Sequence, residues 1–550
     1  MSFLTDDILK GTDWRALERT VARVMAHAGW EDVNIIGGAG DLGGDILGVF
    51  PKTNRLESWV VQVKAVTGGK YVGVPAINEA VKAMSMYGTS VGATATNGSF
   101  TLSAEKRRRQ LLDAGFDIKL WNGAFLRAFV EGMQENHARK RGLRSYQQEI
   151  TSKTLAVYEA GGTKALYIVA TGLGKTVIAA TIAAELWHRG SRRILVLCHA
   201  QELALQLEMG FWPQLSKQIP TRYFFDGMPP LIYDGVNFGL YQSLYGYLGG
   251  IEPGSFDVVI VDEAHHALAH GFRKCIEHLK PRFLIGMTAT PWRGDGKTIT
   301  ELFGEALTRV SLVDGMAMGY LAQVDYRLYC DNINWEAVPE LSKQRLTIRD
   351  LNKKLFLPQR DDAVISEIIR RANELKSPRI AIFSPSIDHG QRFAAMLSAA
   401  GIPCAPLSGV DKANRRRCLI DFATGKYHAV TAVDVMNEGI DVPDVNMLVF
   451  MRATHSRRIF VQQLGRGLRL APDKEKVVVL DFVSDIRRLA DVFVFDREGR
   501  KKNMESLFLK DNIVTFNDVK AERFIEAWLA DVADLGEADD SEKLSFPEEY

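Results

Sequence analysis

The sequence predicts an α/β protein in which short apolar strands alternate with helices and pack as parallel sheets. Three stretches carry that expectation. Lys164 to Ala179, KALYIVATGLGKTVIA, is an apolar run that stops at Gly172-Leu173-Gly174 and resumes with helical periodicity, so it reads as strand, tight loop and helix N-terminus. Phe256 to His266, FDVVIVDEAHH, is a second apolar strand, and it ends on two carboxylates. From about Arg379 the alternation returns as RIAIFS, a helical stretch to Ala400, then HAVTAV, NMLVFM and VVVLDF.

The first two stretches also predict chemistry. A loop shaped by Gly172 and Gly174 turns backbone N–H groups inward, and the helix behind it adds its positive end, so together they cradle a triphosphate. Lys175 would reach the β and γ phosphates and the Thr176 hydroxyl would hold Mg²⁺. The usual first glycine of this loop is replaced by Val169. Asp262 at a strand end can reach the metal shell, and Glu263 can orient and deprotonate water. An acidic pair after a strand is common, but this one follows a phosphate loop at a distance that fits adjacent strands of one sheet. ATP and Mg²⁺ are the expected cofactors.

The 550 residues are enough for three or four domains, and 46% hydrophobic with 25% charged residues is the balance of a globular chain with ample core. Lys plus Arg number 68 against 67 Asp plus Glu, so any nucleic-acid binding must come from local patches rather than global charge. Cys198, Cys275, Cys330, Cys404 and Cys418 form no C-x-x-C pair, which argues against a zinc site or disulfide framework. MSFLTDDILKG lacks a signal-peptide pattern and no apolar run is long enough to span a bilayer, so a cytoplasmic protein without membrane contact is expected.

In the N-terminal third, Trp14 to Gly29 carries a helical stripe of Leu17, Val21, Val24, Met25 and Ala28 opened by Asp13 as N-cap, with Glu18 beside the stripe. A glycine-rich turn, Gly37 to Gly44, leads to a strand from Asp45 to Phe50 and then to a strand from Ser58 to Lys64, where Gln62 and Lys64 share a face. A carboxylate on one strand, with a lysine two past a polar residue on the next, suits a metal-dependent phosphodiesterase. Asp45 would bind Mg²⁺, Lys64 would position water and stabilise phosphorane charge, and Glu18 could complete the metal shell. Alone, so short a pattern is more often a solvated strand face. Its surroundings decide otherwise: GGAGDLGGDI, WVVQVK, TNGSFTLSAEKRRRQLL and DIKLWNGAFL together resemble the Mrr-like branch of the PD-(D/E)xK restriction endonucleases over about residues 10 to 132. In that branch glutamine commonly replaces the second acidic residue. The resemblance therefore implies Asp45, Gln62 and Lys64 as nuclease residues with Glu18 in support. Lys106 to Arg109 reads as a solvated helix face that could touch DNA phosphates.

Asn136 to Gly142, NHARKRG, is polar and basic without apolar periodicity and reads as a linker. Gln147 follows, about thirty residues before the phosphate loop, and resembles the adenine-recognition glutamine of superfamily 2 helicases. Further motifs of that family appear in order: ILVLCHAQELALQ, which in the family grips a phosphate backbone; GMTATPWR, which links nucleotide site and nucleic-acid groove; and VDVMNEGIDVP, with Gly439 and Asp441 coupling nucleotide state to strand contacts. In QQLGRGLR the resemblance implies Arg466 and Arg469 as arginine fingers and Gln462 as a contact to phosphate or water. It covers about residues 143 to 485 and implies two RecA-like lobes that hold ATP between them.

The expected organisation is an N-terminal restriction-endonuclease-like domain (1–136), a linker (137–142), a first RecA-like lobe (143–313), a connector (314–360), a second lobe (361–490) and a C-terminal extension with an acidic tail (491–550). The expected function is an ATP-driven translocase or helicase on double-stranded DNA that carries an Mg²⁺-dependent endonuclease, in a bacterial restriction or antiviral setting. No [DN]-P-P-[YF] methyltransferase signature is present, so modification would come from a methyltransferase or specificity partner, or the target is itself modified DNA. Two cooperating nuclease domains would call for a homo-oligomer. A repair helicase, a non-cleaving ATP-switched sensor and an RNA helicase are the alternatives.

Overall fold

Helix α1 (Asp6–Lys10) is followed by α2 (Trp14–His27), whose start is fixed by Asp13: its carboxylate accepts the Ala16 N–H at 3.0 Å, satisfying one donor the first turn leaves free. The computed structural model describes residues 2–11, 13–36, 43–52, 55–67, 70–224, 233–289, 299–329, 361–407, 424–433, 445–451, 467–471 and 476–482, with a few short pieces between and beyond them. Five strands follow α2 and its neighbours in one sheet: β1 (Glu31–Ile35), β2 (Ile46–Lys52), β3 (Arg55–Lys64), β4 (Val91–Thr96) and β5 (Asp117–Trp121), lying side by side in chain order. β1, β2 and β3 pair antiparallel, whereas β3, β4 and β5 pair parallel through the crossover helices α3 (Val74–Tyr87) and α4 (Leu102–Asp113). Helix α5 (Gly123–Gly132), capped by Asn122, closes this part.

Strand β3 serves two cores, which is why WVVQV reads as nearly unbroken apolar sequence. Trp59, Val61 and Val63 join Leu17, Val21 and Met25 of α2 on one face, and Val60 joins Ile77, Ala83 and Met84 of α3 on the other. The backbone of Gly44 lies so close to this strand that a Cβ there would stand 2.7 Å from Val60 Cγ2, so the turn before β2 must be glycine to seat Asp45. The segment 137–142, expected as a linker, is tied to its surroundings by main-chain hydrogen bonds. His137 is buried, the Ala138 N–H donates to the His27 carbonyl at 3.2 Å, and Gln214 donates to the Arg141 carbonyl at 3.0 Å. Polar residues satisfied by main-chain partners leave no periodicity to read.

After α6 (Ser145–Glu159) come β6 (Lys164–Val169), α7 (Lys175–His188), β7 (Arg193–Cys198), α8 (Gln201–Phe211), β8 (Thr221–Phe224), β9 (Gly235–Leu240), β10 (Val258–Asp262), β11 (Phe283–Thr288) and β12 (Ala306–Val310). These strands form a seven-stranded sheet in the order β8-β9-β7-β10-β11-β6-β12. A six-stranded sheet follows, in the order β13-β18-β17-β14-β16-β15, built from β13 (Gln323–Tyr329), β14 (Ile380–Phe383), β15 (Cys404–Leu407), β16 (Ala429–Ala432), β17 (Met447–Phe450) and β18 (Lys476–Phe482). Parallel pairing and strands buried on both faces, with helices between them, make both sheets RecA-like.

Contact density divides the chain into one unit of Met1–Leu166, Thr176–Met287 and Phe303–Leu307, and a second of Tyr167–Lys175, Thr288–Leu302 and Thr308–Tyr550. The expected site residues Gly439, Asp441, Gln462 and Arg466 lie outside the described residues, as does the expected helix from Phe516 to Val532.

Candidate active sites

In the nuclease-like sheet, Asp45 immediately precedes β2, which begins one residue later than expected, and is buried, with its backbone N–H donating to the Val61 carbonyl of β3 at 2.9 Å. Its Oδ2 accepts from Gln62 Nε2 and from the Val63 N–H, each at 2.5 Å. Asp45 and Gln62, 17 residues apart in sequence, thus meet on adjacent strands, and Asp45 is locked by two donors. Gln62 Oε1 is buried and has no hydrogen-bond partner among the described residues. Glu18 is buried on α2. Lys64 ends β3 and its ammonium pairs with Glu79 Oε2 of α3 at 2.7 Å, both side chains being about two-fifths exposed. Glu79 was not legible as a site residue, because a lone acid on an amphipathic helix gives no sign of which strand end it will reach. The Lys106–Arg109 run lies on α4, with Lys106 and Arg109 exposed, Arg107 and Arg108 half-buried, and Arg107 donating to Asn78 at 3.1 Å.

The phosphate-loop sequence forms the expected strand, loop and helix. Gly172 (φ 86°) and Gly174 (φ 81°) occupy the left-handed region that a side chain disfavours, and α7 begins at Lys175. Lys175 and Thr176 are half-buried. Gly172 is constrained from outside as well: a Cβ there would stand 2.8 Å from the Gly465 carbonyl oxygen and 3.5 Å from Arg469 Cγ. Gly465 therefore lies directly on the loop, and Arg469 is beside it.

At the end of β10 Asp262 is buried, and Glu263 is one of three non-glycine residues with positive φ among the described residues (φ 45°, ψ 58°). Backbone strain of this kind is held only where the surroundings over-determine it. His265 is fully buried with Nδ1 3.4 Å from Glu263 Oε2, its ring is 4.4 Å from that of His266, and the His266 ring in turn lies 4.2 Å from that of His199, tilted by 35°. His199, at the end of β7, ties the ILVLCHAQELALQ motif to this turn, a contact that the motif's own pattern does not advertise. Burial first, and the Asp262 charge second, push the neighbouring Cys198 thiol up, so it stays protonated.

Gln147 is buried near the start of α6, where its Oε1 accepts the Arg144 N–H at 3.0 Å and its Nε2 lies 3.4 Å from the Tyr146 hydroxyl. The residue expected to read adenine is thus also a helix cap.

Three family models match in succession: residues 9–130 match a restriction endonuclease model of the Mrr type, residues 140–293 the res subunit of type III restriction enzymes, and residues 360–471 the helicase conserved C-terminal domain. The chain is 27% identical over 363 residues to irc3 of Schizosaccharomyces pombe, which is named as a mitochondrial ATP-dependent helicase; the match covers 63% of this chain and 58% of that protein. It is 24% identical over 385 residues to the EcoAI type I restriction enzyme endonuclease subunit of Escherichia coli, covering 63% and 47%. The chain spans about half the length of these curated relatives. Among solved structures, the DNA-bound ATP-dependent type ISP restriction-modification enzyme LlaBIII superposes with a TM-score of 0.55 at 17% identity, over 98% of this chain and 42% of that one, a likeness of fold. The chain thus carries, in order, an Mrr-like restriction endonuclease domain and the two superfamily 2 helicase domains of restriction-enzyme type.

Proposed function

We propose that this protein is an ATP-driven translocase or helicase on double-stranded DNA whose Mrr-like domain is an active, Mg²⁺-dependent endonuclease working in restriction of foreign DNA. The observation that carries the reading is the Asp45 carboxylate, buried and held by Gln62 and the Val63 N–H on the strand that ends in Lys64. An acid fixed so tightly in a half-polar strand is expensive unless a cation repays its burial. Two hard oxygen donors on neighbouring strands, the Asp45 carboxylate and the unpartnered Gln62 Oε1, fit Mg²⁺, with Glu18 as further support. When bound, the metal supplies Lewis acidity at the scissile phosphate. Asp45 fixes the site against β3, and Lys64, once free of Glu79, places a positive charge where the phosphorane develops.

In the motor, the Gly172–Gly174 loop and the α7 N-terminus receive the triphosphate. Lys175 and Thr176 serve the phosphates and the metal, Asp262 the metal shell, and Gln147 the adenine. Glu263 orients and deprotonates water, Arg469, with Arg466, neutralises charge during transfer, Gln462 contacts phosphate or water, and Gly439 and Asp441 couple nucleotide state to the DNA grip. A methyltransferase or specificity subunit as partner, and a second copy for double-strand cuts, complete the reading.

The test is cleavage of supercoiled plasmid, methylated and unmethylated, with Mg²⁺ and with or without ATP. Cutting that is lost in both Asp45→Ala and Lys175→Ala supports a motor-coupled nuclease. DNA-stimulated ATP hydrolysis with no cutting in any condition overturns the nuclease half and leaves a repair helicase or a sensor.

A further inference from the structure

Helix α8 and the turn after it touch the nucleotide-binding segment at one place and the nuclease helix at several. Gly210 near its end lies against Thr176: a Cβ at 210 would stand 2.7 Å from Thr176 Cγ2. Two residues earlier, Glu208 is buried and forms an ion pair with Arg19 of α2, Nε to Oε2 3.5 Å, while its Oε1 accepts from the Thr221 hydroxyl. The Arg19 guanidinium lies 4.1 Å over the Tyr223 ring. Trp212, in the short turn that continues α8, is buried in the same core as Leu17 and Val21 of α2. Arg23, one turn along α2 and also buried, donates to the Ser216 carbonyl at 3.3 Å.

We infer that α8 transmits the state of the nucleotide site to the nuclease helix, with Glu208 as the positioning residue that ties Thr176 to α2 and hence to Glu18. The inference rests on the proposed roles of Thr176 and Glu18. Gly210 and Glu208 share one helical turn, so whatever displaces one displaces the other. The Arg19–Glu208 pair is shielded from solvent, so salt screens it little, and it links two rigid elements rather than two loose side chains. Glu208 is also the counter-charge felt by Arg23, whose guanidinium burial pushes down to about 9. Removing that one carboxylate therefore leaves two arginines of α2 without their acid. Glu18 immediately precedes Arg19, so a shift of Arg19 is a shift of the supporting nuclease carboxylate.

The experiment is hydrogen exchange of the α2 amides, residues 14–27, in the full chain with and without Mg²⁺, ADP and beryllium fluoride, alongside a fluorescent-nucleotide titration. In the native protein the nucleotide changes α2 exchange by at least about threefold. Glu208→Gln keeps nucleotide affinity within about threefold and reduces the α2 response to less than about 1.5-fold. Arg19→Gln, which breaks the same pair from the nuclease side, does likewise and covers the case of a misfolded Glu208 variant. An α2 helix indifferent to nucleotide in the native protein, or one that responds equally in both variants, overturns the inference. The readout needs no DNA cleavage, so a failure of the nuclease reading shows up separately, in the plasmid assay with Asp45→Ala.

Discussion

Acid should loosen the strap between the nuclease-like domain and the motor, and the structure sets the size of the effect. His137 is buried with its Nδ1 accepting the Arg139 N–H at 3.0 Å and its Nε2 without a partner among the described residues. Its ring meets that of His27 edge-on at 5.3 Å, and His27 Nε2 is 3.0 Å from the Gln134 carbonyl. Burial pulls His137 down from 6.5 to about 4, helped by His27, Arg23 and Arg141; burial also lowers His27, against the pull of the Gln134 carbonyl and Glu135 and with Arg23 and Lys217 adding to the lowering. Protonating His137 on Nδ1 would cost it the Arg139 hydrogen bond and place a cation among cations. Between about pH 6.5 and 4 the unfolded chain binds a proton that the folded one refuses, so stability is full above that window and falls as pH falls through it. For His137 alone the loss is about 2 kcal/mol at pH 5 and is capped near 3 kcal/mol below pH 4. In a unit of this size 2 kcal/mol is a drop of roughly 4 °C in unfolding temperature. The assay is thermal unfolding at pH 7.5 and 5.0 for the native protein and His137→Asn, since asparagine accepts from the N–H two residues on without titrating. The variant should lose about 2 kcal/mol less than the native protein between the two pH values. Equal losses would refute the assignment of the acid sensitivity to His137.

Other outcomes follow from single contacts. Gly172→Ala, forced into φ 86° with its Cβ 2.8 Å from the Gly465 oxygen, should cut ATP turnover at least about 100-fold while costing about 1–3 kcal/mol of stability, checked by ATPase assay and unfolding midpoint. Lys64→Ala breaks only a half-exposed ion pair, so the melting point should move by less than about 2 °C, whereas plasmid cleavage should fall at least about 100-fold with ATP hydrolysis intact. Trp212→Ala should cost about 3–5 kcal/mol and split a single calorimetric transition of the first unit into two.

What was legible from sequence is what is local in sequence. The strand, loop and helix around Gly172 and Lys175, the β10 end at Asp262 and the Asp13 cap all depend on residues within about twenty of each other, and all appear as expected. The contacts that were not legible join distant residues. Lys64 meets Glu79 through a crossover helix, and Arg19 meets Glu208 across 189 positions. An amphipathic stripe announces that a face will be covered but not by what. The strained backbone of Glu263 is likewise invisible to pattern, because glutamate has no preference for positive φ that a reader could detect. The polarity of Asn136–Gly142 likewise gives no sign of the partners its main chain takes, the His27 carbonyl at Ala138 and the Gln214 amide at Arg141.

Trp212 has a bearing on heredity as well as on folding. A helicase-lobe indole that completes the hydrophobic interior of the Mrr-like domain makes the two modules one inheritance: a gene rearrangement that exchanged that domain at the Asn136–Gly142 seam would leave an indole with no socket and a socket with no indole. New nuclease and motor pairings would then spread only where the junction carries both halves of that fit.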